Sequence, residues 1–172
     1  MAAKTGTYTL ISSQTLGSSA SSVTFSSLPQ TYTDLVLVIS AAASAQKDID
    51  LRFNSDTAGN YSNTWIAGNG TSTHTGRTTS TSSLYITYYG GVVTTLGNSL
   101  HMVYLQDYAN STTYKTVLSR ASSAGAGVDA VVGQWRNTAA ITNIQIGPNM
   151  QQGVNTWSSG SSFKLYGIEA AK

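Results

Sequence analysis

Between Ile49 and Ser62 the chain reads IDLRFNSDTAGNYS. With the preceding Asp48, the stretch gathers three carboxylates (Asp48, Asp50, Asp56), two amides (Asn54, Asn60) and one guanidinium (Arg52). Three readings compete: a calcium loop, a sugar site, or a strand running into a turn. A calcium loop sets carboxylates at alternate positions around a tight turn and closes with a bidentate Glu. Here Asp48 and Asp50 fall on an alternating segment, Asp56 falls in a turn, and Arg52 stands between them as a competing cation. The spacing does not match. The structural alternative is that Arg52 offers its fork of donors to an Asp or to carbonyls, while NSDTAGN is a turn closed by Asx side chains.

Catalytic constellations are thin elsewhere. A hydrolase needs a nucleophile, a base and an oxyanion donor. Serine is too abundant here to be informative. The histidines stand apart: His74 in a Ser/Thr/Gly stretch, His101 on an apolar segment beside Met102 and Val103. Neither has the second His at short spacing and the carboxylate that a zinc site wants. Paired carboxylates for glycoside chemistry form in space and stay open, but there are only seven acids, with Glu169 the single Glu. No Gly-rich phosphate loop occurs. The expectation is a protein that is not an enzyme, with no catalytic residues, no metal and no cofactor.

A sugar site would rest on rings that stack on pyranoses, and Tyr61, Trp65 and Trp157 are the candidate glycan contacts. Rings of the same kind fill sandwich cores and protein interfaces. Tyr85, Tyr88 and Tyr89 are the candidate protein-interface residues, with Tyr85 and Tyr89 sharing one strand face with Thr87.

The elements that would carry these side chains read as strands. IDLRFN has period two, with Ile49, Leu51 and Phe53 to one side and Asp50, Arg52 and Asn54 on a wet face. DLVLVISAAA (34–43) is apolar on both faces, as a doubly covered central strand should be. YTLIS, SVTF, SLYITYY (83–89), LHMVYLQDY (100–108), YKTVLSRA (114–121), VDAVVGQW (128–135), AITNIQIG (140–147) and FKLYGI (163–168) complete the set. Their separators are rich in Gly, Asn, Ser, Thr and Asp, the residues of turns. The alanine-rich SAAASAQKD reads as a strand end. The Ser/Thr/Gly stretch from Gly68 to Ser82 reads as a long exposed loop. About ten short strands at this spacing make an all-β sandwich or barrel. The expected organisation is one β-sandwich domain over 1–172, with a short N-terminal arm (1–7) and a C-terminal tail (169–172).

Composition points the same way. The 172 residues fit one domain. Only 9% are charged, against about 25% in an average domain; polarity comes from 49 Ser and Thr. A net charge of +2 with no basic cluster is no nucleic-acid footprint. No apolar run reaches the roughly 20 residues of a membrane span, and the N-terminus does not read as a secretory signal. The absence of cysteine excludes disulfides and thiolate metal sites. Sandwich edges need charge or proline to keep them from pairing with other chains, and nine Lys/Arg and two prolines supply little of either. Edges covered by another subunit would fit an assembly protein.

Five segments in order, YTLI, VTFSSLPQTYTDLVL, LRFNSDTAGNYS, GQWRNTAAITNIQI and FKLYGI, give a resemblance covering nearly the whole chain. The sequence resembles a family of small β-sandwich virion proteins of tailed bacteriophages, notably marine and cyanobacterial ones, related to capsid decoration or cement proteins and to tail-fibre domains. The resemblance implies an antiparallel, jelly-roll-like sandwich on the outer capsid surface of a virion, made in the host cytoplasm. Its partners would be the major capsid protein and copies of itself, a trimer by analogy, with no nucleic acid and no membrane. No shaft and no heptads accompany the domain, which suits decoration better than a fibre. The alternative is a tail-fibre or capsid-surface adhesin binding host glycans.

Overall fold

A computed structural model describes residues 7–88, 91, 94–97, 99–151, 153 and 155–169. Among these described residues twelve strands run in chain order: β1 (Tyr8–Thr15), β2 (Val23–Phe25), β3 (Asp34–Ser40), β4 (Ile49–Phe53), β5 (Tyr61–Gly68), β6 (Thr73–Thr81), β7 (Leu84–Tyr85), β8 (Ser99–Gln106), β9 (Lys115–Ser123), β10 (Gly127–Trp135), β11 (Ile144–Pro148) and β12 (Ser162–Ile168). They form an eight-stranded sheet, β1-β12-β3-β8-β9-β10-β5-β6, and a four-stranded sheet, β2-β11-β4-β7, with every pairing antiparallel.

The order is that of one long hairpin wound around a sandwich. From the outside in, β2 pairs with β11, β3 with β8, β4 with β7 and β5 with β6. That winding is the jelly roll. The β8–β9–β10 meander takes the place of one strand, and β12 and β1 extend the large sheet beyond β3.

Period-two alternation fills the space between the sheets. The large sheet sends in Leu35, Leu37, Ile39, Val103, Leu105, Val117, Phe163 and Leu165; the small sheet answers with Val23, Phe25, Ile49, Leu51, Phe53, Ile144 and Ile146. Two aromatic groups close the core. Phe53, Tyr61 and Trp135 pack with ring centroids 5.6–6.4 Å apart, and Trp157 meets Phe163 edge-on at 5.2 Å. Trp157 is tied in by bridges to Ala20 and Ala43, so the alanine-rich segment after β3 is extended chain, as its sequence suggests.

Three local expectations need correction. Residues 68–82 are not a long loop: Thr73–Thr81 is strand β6, joined to β5 by a tight turn at Gly70 and Thr71. Threonine is a strand former, and here the β-branched side chains outweigh the low-complexity look. Conversely, of the strand expected over 83–89 the described residues form strand at Leu84–Tyr85, with Ile86 N adding one bond to Ile49 O at 2.9 Å, and Tyr89 lies outside the described residues. Finally, the second face of β4 is not fully wet. Asp50 is buried and Arg52 half-buried, because the segments around Ser83 and Met150 close over them.

Candidate interaction surface

The chemistry-bearing side chains of 49–62 spend their capacity on the fold. Arg52 Nε donates to the Ser82 carbonyl at 3.1 Å and Nη2 to that of Met150 at 3.4 Å. Asn54 and Ser55 take left-handed backbone (φ 52° and 58°), a conformation Asn tolerates better than most. The Asn54 side chain then staples the 140–143 segment. Its Nδ2 donates to Ala140 O at 2.8 Å, and its Oδ1 accepts the N–H groups of Thr142 (2.9 Å) and Asn143 (3.1 Å). Asp56 accepts from Ala58 N and Asn60 Nδ2, both at 2.9 Å, and from Trp135 Nε1 at 2.7 Å. Burial alone would raise the Asp56 pKa, but these three donors outweigh it and hold the carboxyl below its ordinary value. Tyr61 Oη accepts from Phe53 N at 3.0 Å and donates to Asp56 O at 3.1 Å.

The other carboxylates of this region lie deeper. Asp50 accepts from Ser83 Oγ at 3.2 Å. Burial pushes its pKa up to about 7, with the nearby Asp48 adding to the rise and the Ser83 hydroxyl and the Gln151 and Met150 backbone opposing it. Asp48 is pushed up to about 6 by burial and by Asp129, against the pull of Lys47. Among the described residues no three His, Cys, Asp or Glu side chains come together as a metal-binding group.

The histidines share one row of the large sheet. Register runs Ile39–His101–Ala121–Asp129–Ala67–His74 across the inner face. His101 is fully buried, with no hydrogen-bond partner at either ring nitrogen, and burial pushes its pKa down to about 4. Asp129 Oδ2 accepts the Tyr88 N–H. In this row one alanine stands on each side of Asp129, Ala121 on β9 and Ala67 on β5.

The aromatic candidates divide. Tyr61 and Trp157 are completely buried, so neither can stack on a sugar. Tyr61 belongs to the Phe53–Trp135 cluster, and Trp157 Nε1 donates to Ile146 O at 3.2 Å inside the core. Trp65 is half-buried, with one ring face on Gly76 and a stacked Tyr88 at 4.8 Å. Tyr88 is exposed and Tyr85 half-buried; Tyr89 lies outside the described residues.

The feature that sequence reasoning missed is the outer face of the large sheet. Cross-strand register sets Tyr166, Val36, Tyr104, Leu118, Val132, Thr64 and Arg77 in one row, and Lys164, Val38, Met102, Arg120, Ala130, Ile66 and Thr75 in the next. Leu118 is 44% exposed, Val132 53% and Ile66 57%. Leu100 and Val128 continue the exposed aliphatic surface, flanking Ser122 in a third row. Charge on this face comes from Arg77, Arg120 and Lys164; the carboxylate of Asp34 stands at its end, accepting Asp107 N at 2.8 Å. A signal was present in LHMVYLQ, where both parities are apolar, as they are in a strand covered on both faces. At the hairpin ends of this sheet a cleft of about 740 Å³ is lined by small residues such as Gly68, Ser99, Ser123 and Gly125.

Neither the scan of protein families nor the search of curated proteins finds a match. Among solved structures, a functionally unknown protein from Saccharomyces cerevisiae aligns over 86% of this chain and 70% of its own at 11% identity, with a TM-score of 0.33. An aerolysin-like protein from Bombina maxima aligns over 83% of this chain and 93% of its own, also at 11% identity, with a TM-score of 0.12. At scores this low neither likeness bears on fold or role.

Proposed function

We propose that this protein is a non-enzymatic structural component of a tailed-phage virion, a capsid decoration protein that bridges neighbouring major capsid protein subunits. The observation that carries the reading is the outer face of the eight-stranded sheet. Ile66, Leu100, Leu118, Val128 and Val132 are exposed there together, and contiguous apolar surface on a rigid sheet marks a site of protein association. Among the described residues Arg77 and Lys164 flank it and Arg120 lies within it, between Met102 and Ala130, without interleaved carboxylates, so acidic groups on the partner would complement it. The resemblance to phage virion proteins supplies the partner class, and many modest contacts repeated over a shell give avidity.

The test uses particles stripped of this chain. Wild-type protein added back should sediment with them in simple ratio to the capsid protein and raise the temperature at which the genome escapes. The Leu118→Asp, Val132→Asp double variant should stay folded and do neither. Rebinding by that variant would remove the outer face from the account. The adhesin reading keeps one pair, Trp65 stacked under the exposed Tyr88; glycan-array binding lost in Tyr88→Ala would favour it instead.

A further inference from the structure

We infer that strand β6 is a self-complementary edge through which two copies of this chain pair into one continuous sheet. The β5–β6 turn sets the phase of the ladder. Asn69 N donates to Ser72 O at 3.2 Å across Gly70 and Thr71, which makes Asn69 and Ser72 a hydrogen-bonded pair. Antiparallel ladders alternate bonded and non-bonded pairs. The register Ala67↔His74, Trp65↔Gly76 and Asn63↔Thr78 therefore gives the N–H and C=O groups of His74, Gly76 and Thr78 to β5. On the far side of β5, Arg136 N donates to Asn60 O at 2.8 Å, and the same alternation gives the even-numbered residues of β5 to β10 and the odd-numbered ones to β6. The two ladders agree. The main-chain groups of Thr73, Thr75, Arg77 and Thr79 consequently point away from the sheet, and all four residues are exposed.

Other edges carry the devices that stop chains from pairing, namely short length and bulges. Strand β2 has three residues and β7 two, and β1 is interrupted by a bulge between Leu10 and Ser12. The β6 irregularity falls at its far end, opposite Tyr61 and Ser62. Thr73 to Thr79 is left regular, without proline or lysine.

The occupant is fixed by the sequence of the edge itself. About a two-fold axis at Gly76, Thr73 faces Thr79, Thr75 faces Arg77 and His74 faces Thr78. All four outward residues of each copy then find a bonded partner. Sliding by one step of two residues either faces Arg77 with Arg77, a like-charge pair directly opposed, which is destabilising, or leaves Thr79 without a partner among the four. Gly76 suits the centre because the non-bonded pair there brings Cα atoms to about 4.5 Å, and the Trp65 ring already fills the space a Cβ would need. The edge thus pairs best with its own copy in one register, and the pairing sets two outer faces side by side. The inference goes beyond the capsid-binding reading and does not depend on it.

The test is sedimentation of the free chain over a concentration series, combined with amide exchange. A dimer of twice the 18.0 kDa chain mass should form as concentration rises. The amides of Thr73, Thr75, Arg77 and Thr79 should gain protection with it, while those of His74, Gly76 and Thr78 are protected throughout. Thr75→Lys, which opposes Arg77 of the second copy twice by symmetry, should weaken the dimer roughly tenfold or more. Thr75→Pro, which removes only an outward N–H, should abolish it. Either variant suffices if the other fails to fold. A chain that stays monomeric throughout, or an oligomer whose odd-numbered β6 amides exchange freely, overturns the inference; so does a trimer indifferent to Thr75→Lys.

Discussion

Trp135 Nε1 donates to Asp56 Oδ2 at 2.7 Å, tying the end of β10 to the turn that follows β4. The indole is buried against Phe53 and Tyr61, and the same carboxylate closes its own turn through Ala58 and Asn60. Asp56→Ala removes all three acceptor contacts and strands the indole N–H. A hydrogen bond to a charged group contributes about 1.5–3 kcal/mol, so the variant should lose roughly 2–4 kcal/mol of stability in a urea titration, with capsid binding intact where the protein remains folded. A loss under about 0.5 kcal/mol, the range of a neutral surface change, would contradict this role.

Gly133 on β10 faces the small sheet, where a Cβ would lie 2.5 Å from Leu84 Cδ1. Gly133→Ala should therefore destabilise by about 1–3 kcal/mol, the usual cost of overpacking. Pairing it with Leu84→Ala should recover part of that loss, since the two changes share one space. Additive losses in the double variant would mean that the sheets do not meet there.

Acid stability has two opposed contributions. Asp50 and Asp48 have folded pKa values of about 7 and about 6, above the ordinary 3.8. The folded state keeps these protons where the unfolded chain has shed them. Their stabilisation is complete below pH 3.8 and is lost as pH rises through about 6 and about 7. His101 runs the other way: with a folded value of about 4 against 6.5, it stabilises fully above 6.5 and loses that contribution as pH falls through 4. Asp50→Asn should flatten the decline on the neutral side. His101→Leu should flatten the acid side, by up to about 3 kcal/mol. Melting temperatures over a pH series check both, and parallel curves for wild type and Asp50→Asn would refute the assignment.

Strand existence was legible because alternation is local. Ile49, Leu51 and Phe53 announce a buried face whatever surrounds them, and Asn54 and Asp56 announce the turn. What covers the other face is not local. Asp50 is buried by residues more than thirty positions away around Ser83 and about a hundred away around Met150, so its sequence neighbours describe a wet strand. The same holds for Tyr61 and Trp157, whose types suit a sugar platform but whose contacts, with Trp135 and with Phe163, place them in the core. β6 was hidden by composition: its alternation is of threonine with histidine, glycine and threonine, and carries no hydrophobic period.

The outer face predicts a separation of stability from binding. Leu118 and Val132 are about half exposed, so aspartates there should change unfolding free energy by about 1 kcal/mol or less. Capsid binding should nevertheless be lost, because two charges would enter a desolvated contact. Unfolding comparable to that of a core substitution would show that the face is structural.

The proposed role is a repeated one on the capsid, and copy number tests it most directly. Quantitative mass spectrometry of purified virions that encode this chain should give copies in simple ratio to the major capsid protein. A handful of copies per particle, or none, would contradict the account and return attention to Trp65 and Tyr88.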